Sequence, residues 1–171
     1  MARKTRQVEG PFLSSYILSH YAEFPVMYDQ GLGAIPDEYL RKYGTAKGIA
    51  MYDPTRLHVD AIVLLPRHFL LIEAKVWEIM LGLGKLPLYA SLVPITPELK
   101  AYQPREVMME LVVARTNDNL ETAARSVGVK VVLYSTPEVV TVLRERENYQ
   151  LPEYRAEREK RLRTREQLGL E

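Results

Sequence analysis

Two strongly apolar runs, LHVDAIVLLP at residues 57–66 and FLLIEAKVW at residues 69–77, are separated only by Arg67 and His68, so that PRH turns the chain. Both are rich in β-branched and large aliphatic residues, and Pro66 stops the first of them. So short a link between two such runs predicts an antiparallel hairpin. Strand alternation then places His58, Asp60, Ile62 and Leu64 on one face, and Glu73 and Lys75 share a face of the second strand. If the strands pair in register about the turn, Asp60 and Glu73 sit on neighbouring strands and face the same way.

The flanking sequence supplies the cover. PFLSSYILSHYAEF spaces Phe12, Tyr16, Ile17 and His20 or Tyr21 as one side of an opening helix, with Pro11 tolerated in a first turn. PDEYLRKYG reads as a short helix ended by Gly44, and GIAMYD as a short strand. WEIMLGLGKLPLYASLVP carries two glycines and a proline, which predicts a helix only from about Leu86 to Val93, with Pro87 in its first turn. ITPELKAYQP is a loop or a single helical turn. VMMELVVA is a buried strand by its nearly continuous apolar character. TNDNLETAARSVGV is a capped helix ending at Gly128, KVVLYS a strand, and TPEVVTVLRERE a helix capped by Thr136 with Pro137 at its first position.

This order, helix, three strands, helix, strand, helix, strand, helix, predicts an α/β fold with a mixed central sheet flanked by helices. Residues 1–150 read as the sheet domain and 151–171 as a charged helical tail. In that tail Glu157 with Arg161, and Glu159 with Arg163, stand at the i, i+4 spacing of exposed helical ion pairs. A solvated face is the plainer reading of the tail; packing on a partner or touching phosphate are the others.

Several chemistries are narrowed at once. With no cysteine there is no disulfide, thiolate zinc site or cysteine nucleophile. His20, His58 and His68 have no ligand spacing, so a histidine-held zinc is not expected. The opening MARKTRQVEGPF lacks the apolar stretch of a secretory leader, and no run approaches the ~20 apolar residues of a membrane span, so a soluble, cytoplasmic protein is expected. The net charge of +1 leaves any phosphate-binding surface local, with Arg3, Lys4 and Arg6 as a small basic arm.

Two carboxylates and an amine at one hairpin suit phosphodiester hydrolysis. That reaction needs an oxygen nucleophile near neutral pH and positive charge against the phosphate. Mg²⁺ (or Mn²⁺) held by Asp60 and Glu73 supplies both, the Ala74 carbonyl offers a further oxygen, and Lys75 orients or helps to deprotonate the water.

The placement of Asp60 in one apolar strand and IEAK, with Glu73 and Lys75, in the next resembles the active-site hairpin of the PD-(D/E)xK nuclease superfamily. The predicted element order is similar to that superfamily's core over residues 12–135, while the motif likeness is confined to residues 57–76. The resemblance implies a restriction-endonuclease-like core and a DNA nuclease activity with Asp60, Glu73 and Lys75 as catalytic residues. KLPLYASL resembles the Gln-x-x-x-Tyr helix of the RecB-like branch, with Tyr89 in the tyrosine position and Lys85 in place of the glutamine, which implies substrate contacts from both. A lysine cannot accept a hydrogen bond as an amide does. Members also carry an acidic residue on the first helix that completes the metal shell; the resemblance assigns this to Glu23, the one carboxylate of PFLSSYILSHYAEF.

Each of these residues has a plainer reading. Asp60 and Lys75 make a structural ion pair, His58 is a satisfied polar residue at a strand start, and Tyr89 is a core aromatic. Trp77 and Met80 complete an apolar patch, Met108 and Met109 fill the core, and GLGK lacks the full spacing of a phosphate loop. The function of a different class is a catalytically silent nuclease-like module of a large assembly such as a phage particle, associating through its charged tail or as a homo-oligomer. Its place would be the virion rather than the cytoplasm.

Overall fold

The computed structural model describes residues 2–148 and 152–168, with side chains at 8–147 and 156–168. The chain forms two compact units, Met1–Tyr134 and Ser135–Glu171. The first unit is a mixed α/β structure. Its elements are α1 (Ala2–His20), β1 (Val26–Leu32), α2 (Asp37–Tyr43), α3 (Thr45–Tyr52), β2 (Leu57–Leu64), β3 (His68–Lys75), α4 (Ile79–Leu92), β4 (Glu106–Val113), α5 (Asp118–Ser126) and β5 (Val129–Leu133). The second unit holds α6 (Pro137–Asn148) and α7 (Pro152–Gln167). Thus α6 groups with α7, whereas the sequence reading places it with the sheet.

The five strands lie in the order β1-β2-β3-β4-β5. β2 pairs antiparallel with both β1 and β3, and β3, β4 and β5 run parallel. Parallel neighbours require crossovers, which α4 and α5 provide. Leu83, Leu86 and Tyr89 of α4 and Leu120 and Ala124 of α5 pack with Leu71, Leu111, Val113 and Val129 in the main core.

On the opposite face α1 buries Phe12, Tyr16 and Ile17, as its spacing predicts, and also Leu13; His20 is exposed and Tyr21 half-buried. It is fastened by a group that an apolar reading of β4 misses. Glu110 is only 1% exposed, and its carboxylate accepts hydrogen bonds from the hydroxyls of Tyr16 and Tyr21 and, at 2.9 Å, from Lys130 Nζ. Burial first, and the Glu110 carboxylate second, push the Tyr16 phenol far above its ordinary value. The Tyr16 hydroxyl therefore stays a donor at any ordinary pH.

Three readings are corrected. GIAMYD is not a strand: all of it but Asp53 lies in α3, where Gly48 abuts α2 so closely that a Cβ would stand 2.8 Å from the Tyr39 carbonyl oxygen. The remaining antiparallel strand is β1, from a segment whose glycines read as an interruption. Nor is α4 short; it runs unbroken through Gly82, Gly84 and Pro87, because tertiary packing outweighs poor helix propensity. Finally, Met108 is 43% exposed rather than core.

The side chains of Arg3, Lys4 and Arg6 lie outside the described residues. The Glu157–Arg161 and Glu159–Arg163 pairs of α7 form at 3.7 and 3.8 Å, on side chains too exposed to add much stability. Among the described residues no helix is long and apolar enough to cross a membrane.

Candidate active site

The β2–β3 register pairs Ala61 with Ile72, so the next step along the ladder sets Asp60 against Glu73. Asp60 is seated by the Ala74 N–H, which donates to its Oδ2 at 2.9 Å. The Lys75 ammonium then gathers the surrounding oxygens: Asp60 Oδ2 at 3.2 Å, Glu73 Oε1 at 3.1 Å and the Ala74 carbonyl at 3.1 Å. The two carboxylates, the carbonyl and the amine predicted to meet do meet.

Their burial is the reverse of what the apolar setting of Asp60 suggests. Asp60 is 33% exposed, whereas Glu73 is 1% exposed. Glu73 Oε1 takes both Lys75 and, at 3.4 Å, Lys85 of α4. Glu73 Oε2 is buried and has no hydrogen-bond partner among the described residues. Burial first, then the neighbouring Asp60 charge, hold the Glu73 carboxyl above its usual range, against the pull of Lys75 and Lys85. An ionised oxygen left in this state is costly, and either a proton, which the raised pKa favours, or a bound cation relieves it.

Lys75 is held the other way. Burial works against its charge, but Glu73, Asp60 and Glu9 together outweigh burial and raise its pKa above the usual lysine value. At neutral pH it is an ammonium, a donor and a positive charge rather than a base.

The acid that α1 brings to the site is Glu9, not Glu23. Glu9 Oε1 accepts the Val76 N–H at 3.0 Å, and its Oε2 stands 3.9 Å from Lys75 Nζ. Glu23 is exposed in the turn beyond the end of α1. The helix starts well before Pro11, which a first-turn reading of that proline hides; Glu9 lies seven residues, two turns, before Tyr16 and so on the same side of α1.

Gly82, Lys85, Leu86 and Tyr89 follow one another along one side of α4, at offsets of three, four and seven. A Cβ at Gly82 would stand 2.8 Å from Lys75 Cγ, 3.0 Å from Leu111 Cδ1 and 3.2 Å from Glu73 Cγ. The glycine of the GLGK stretch therefore serves close approach of α4 to the trio, not a phosphate loop. Tyr89 is buried in the core, and its phenol is pushed up by burial first and then by the Glu73 and Asp60 charges.

His58 does not join the trio. Its Nδ1 lies 3.0 Å from the Asp29 carbonyl and its Nε2 3.0 Å from the Asp53 carbonyl, so two acceptors face the two ring nitrogens. The Asp53 carbonyl first, and then that of Asp29, raise its pKa against the effect of burial.

Among the described residues no three acidic or histidine side chains are grouped to hold a metal ion. Two carboxylates and a carbonyl nevertheless form a hard-oxygen donor set of the kind Mg²⁺ uses while keeping several waters, and the unpartnered Glu73 Oε2 fits such a ligand. No family model, curated protein sequence or solved structure matches the chain.

Proposed function

We propose that this chain is a metal-dependent nuclease that hydrolyses DNA phosphodiester bonds at the β2–β3 hairpin, on a restriction-endonuclease-like core. The observation that carries this reading is the buried, unpartnered Glu73 Oε2 beside the Asp60 carboxylate, with the Lys75 ammonium between them. The resemblance of the hairpin motif to the PD-(D/E)xK superfamily supports it.

Asp60, Glu73 and the Ala74 carbonyl would hold Mg²⁺ or Mn²⁺. When bound, the cation lowers the pKa of water and offsets charge on the phosphate. Lys75, charged and held by Glu9, aims a hydrogen bond at the attacking water or a phosphoryl oxygen. Lys85, half exposed at the rim, binds a neighbouring phosphate as a point charge, and Tyr89 packs behind the carboxylates.

The test is cleavage of single-stranded, double-stranded and branched DNA, with Mg²⁺ or Mn²⁺, by the wild type and by Glu73→Ala. Loss of metal-dependent cleavage in the variant is expected; equal rates in both proteins sink the assignment.

A second reading takes the trio as a structural ion-pair cluster in a silent module of a larger assembly. The absence of a three-acid group among the described residues favours it. Calorimetry without any Mg²⁺ or Mn²⁺ binding, together with a stable stoichiometric complex, would select it.

A further inference from the structure

Immediately beyond Lys75 the chain leaves β3 through Trp77 and Glu78. A cavity of about 540 Å³ opens there, lined by Trp77, Glu78, Met80 and Leu81 on one side and by Arg115, Thr116 and Asn117 on the other. It lies outside the carboxyl ends of β3 and β4, parallel neighbours that end at Lys75 and Val113. The volume suits a nucleotide-sized ligand.

The chemistry of the lining is selective. The Trp77 indole is half-buried and offers a flat apolar surface, with the Arg115 guanidinium over it at 6.0 Å from the ring centroid. Met80 and Leu81 are each 60% exposed, so the apolar patch expected of Trp77 and Met80 forms a rim rather than core. Glu78 turns the chain in the left-handed region at φ 48, a conformation that costs a non-glycine residue free energy and clusters at binding sites. An aromatic face paired with an arginine is the equipment for stacking an unpaired base and holding its phosphate.

We propose that the Trp77–Arg115 cavity binds a nucleobase of single-stranded DNA, the one flanking the phosphate at the Asp60–Glu73–Lys75 site, and so selects unpaired strands or frayed ends. This rests on the nuclease reading for its orientation: Trp77 is two residues from Lys75, so one strand reaches both. A base inside a duplex is already stacked and paired, and cannot enter without being extruded.

Trp77 is the sole tryptophan of the chain, so its fluorescence reports this cavity alone. The wild type is titrated in EDTA, where no metal-dependent cleavage occurs, with a four-nucleotide adenine oligomer, with a blunt duplex of mixed sequence and with inorganic phosphate. Quenching by the oligomer at a concentration at least tenfold below that needed with duplex, and none with phosphate, is expected. Anisotropy of a labelled oligomer should show affinity falling on the order of tenfold in Trp77→Leu, with recovery in Trp77→Phe, which keeps a ring. Equal quenching by duplex and single strand, or unchanged affinity in Trp77→Leu with native circular dichroism, overturns the proposal. The two readings separate cleanly. Oligomer binding at Trp77 by a wild type that cleaves nothing keeps the cavity and sinks the nuclease. Metal-dependent cleavage that is equal on blunt and frayed DNA, and undiminished in Trp77→Leu, does the reverse.

Discussion

Gly82 on α4 and Lys75 at the end of β3 approach so closely that a side chain at the glycine would place its Cβ 2.8 Å from Lys75 Cγ. Leu111 and Glu73 close the other sides of that space, at 3.0 and 3.2 Å. Lysine cannot swing clear without leaving Asp60 and Glu73. Gly82→Ala gains about 1 kcal/mol of helix propensity and loses roughly 1–3 kcal/mol to overpacking. The expected net result is a destabilised protein with weakened cleavage. Urea denaturation checks it, and a variant as stable as the wild type would show that α4 yields.

Glu9→Ala strands the Val76 N–H and removes one anion from Lys75. A lost hydrogen bond to a charged acceptor is worth about 1.5–3 kcal/mol, so thermal or urea unfolding should register a loss of that order, accompanied by slower cleavage. Glu23→Ala, in an exposed turn, should leave both unchanged. The opposite ranking would return the α1 acid to Glu23.

Divalent cation should stabilise the wild type, because a ligand that binds only the folded state adds RT ln(1 + [L]/Kd). At a hundredfold excess over Kd this is about 2.7 kcal/mol. Glu73→Gln should abolish the rise in melting temperature with Mg²⁺ or Mn²⁺ while remaining folded. An identical rise in both proteins places the cation elsewhere.

The His58 pKa is raised in the folded protein, chiefly by the Asp53 carbonyl. A base whose folded pKa exceeds its unfolded value of about 6.5 stabilises fully below that value and loses the contribution as pH rises through the folded pKa. Wild-type stability should therefore decline from about pH 6.5 upward, and His58→Gln should flatten that slope. Denaturation midpoints across the range measure it; an unchanged slope would assign the titration to another group.

How much of the site was legible follows from how local each signal is. Asp60, Glu73 and Lys75 were readable because side-chain alternation has a period of two and the link between β2 and β3 is short. Lys85 and Tyr89 came only from the likeness of KLPLYASL to the Gln-x-x-x-Tyr helix, because a helix expected to begin at about Leu86 leaves Lys85 outside it, whereas α4 carries both. Glu110 was concealed in an apolar strand, as its partners Tyr16, Tyr21 and Lys130 come from segments far apart in sequence. The GIAMYD helix was missed because Gly48 answers to Tyr39 rather than to its own neighbours.

The hairpin was determined by the sequence alone, since its pattern and turn act over a few residues. The tertiary structure decided what surrounds it. It set Glu73 rather than Asp60 in the interior, carried α4 unbroken past Gly82 and Pro87, and delivered Glu9 from the far face of the sheet. Burial and charge at a site depend on which surfaces are excluded from water together, and only packing between distant segments sets that.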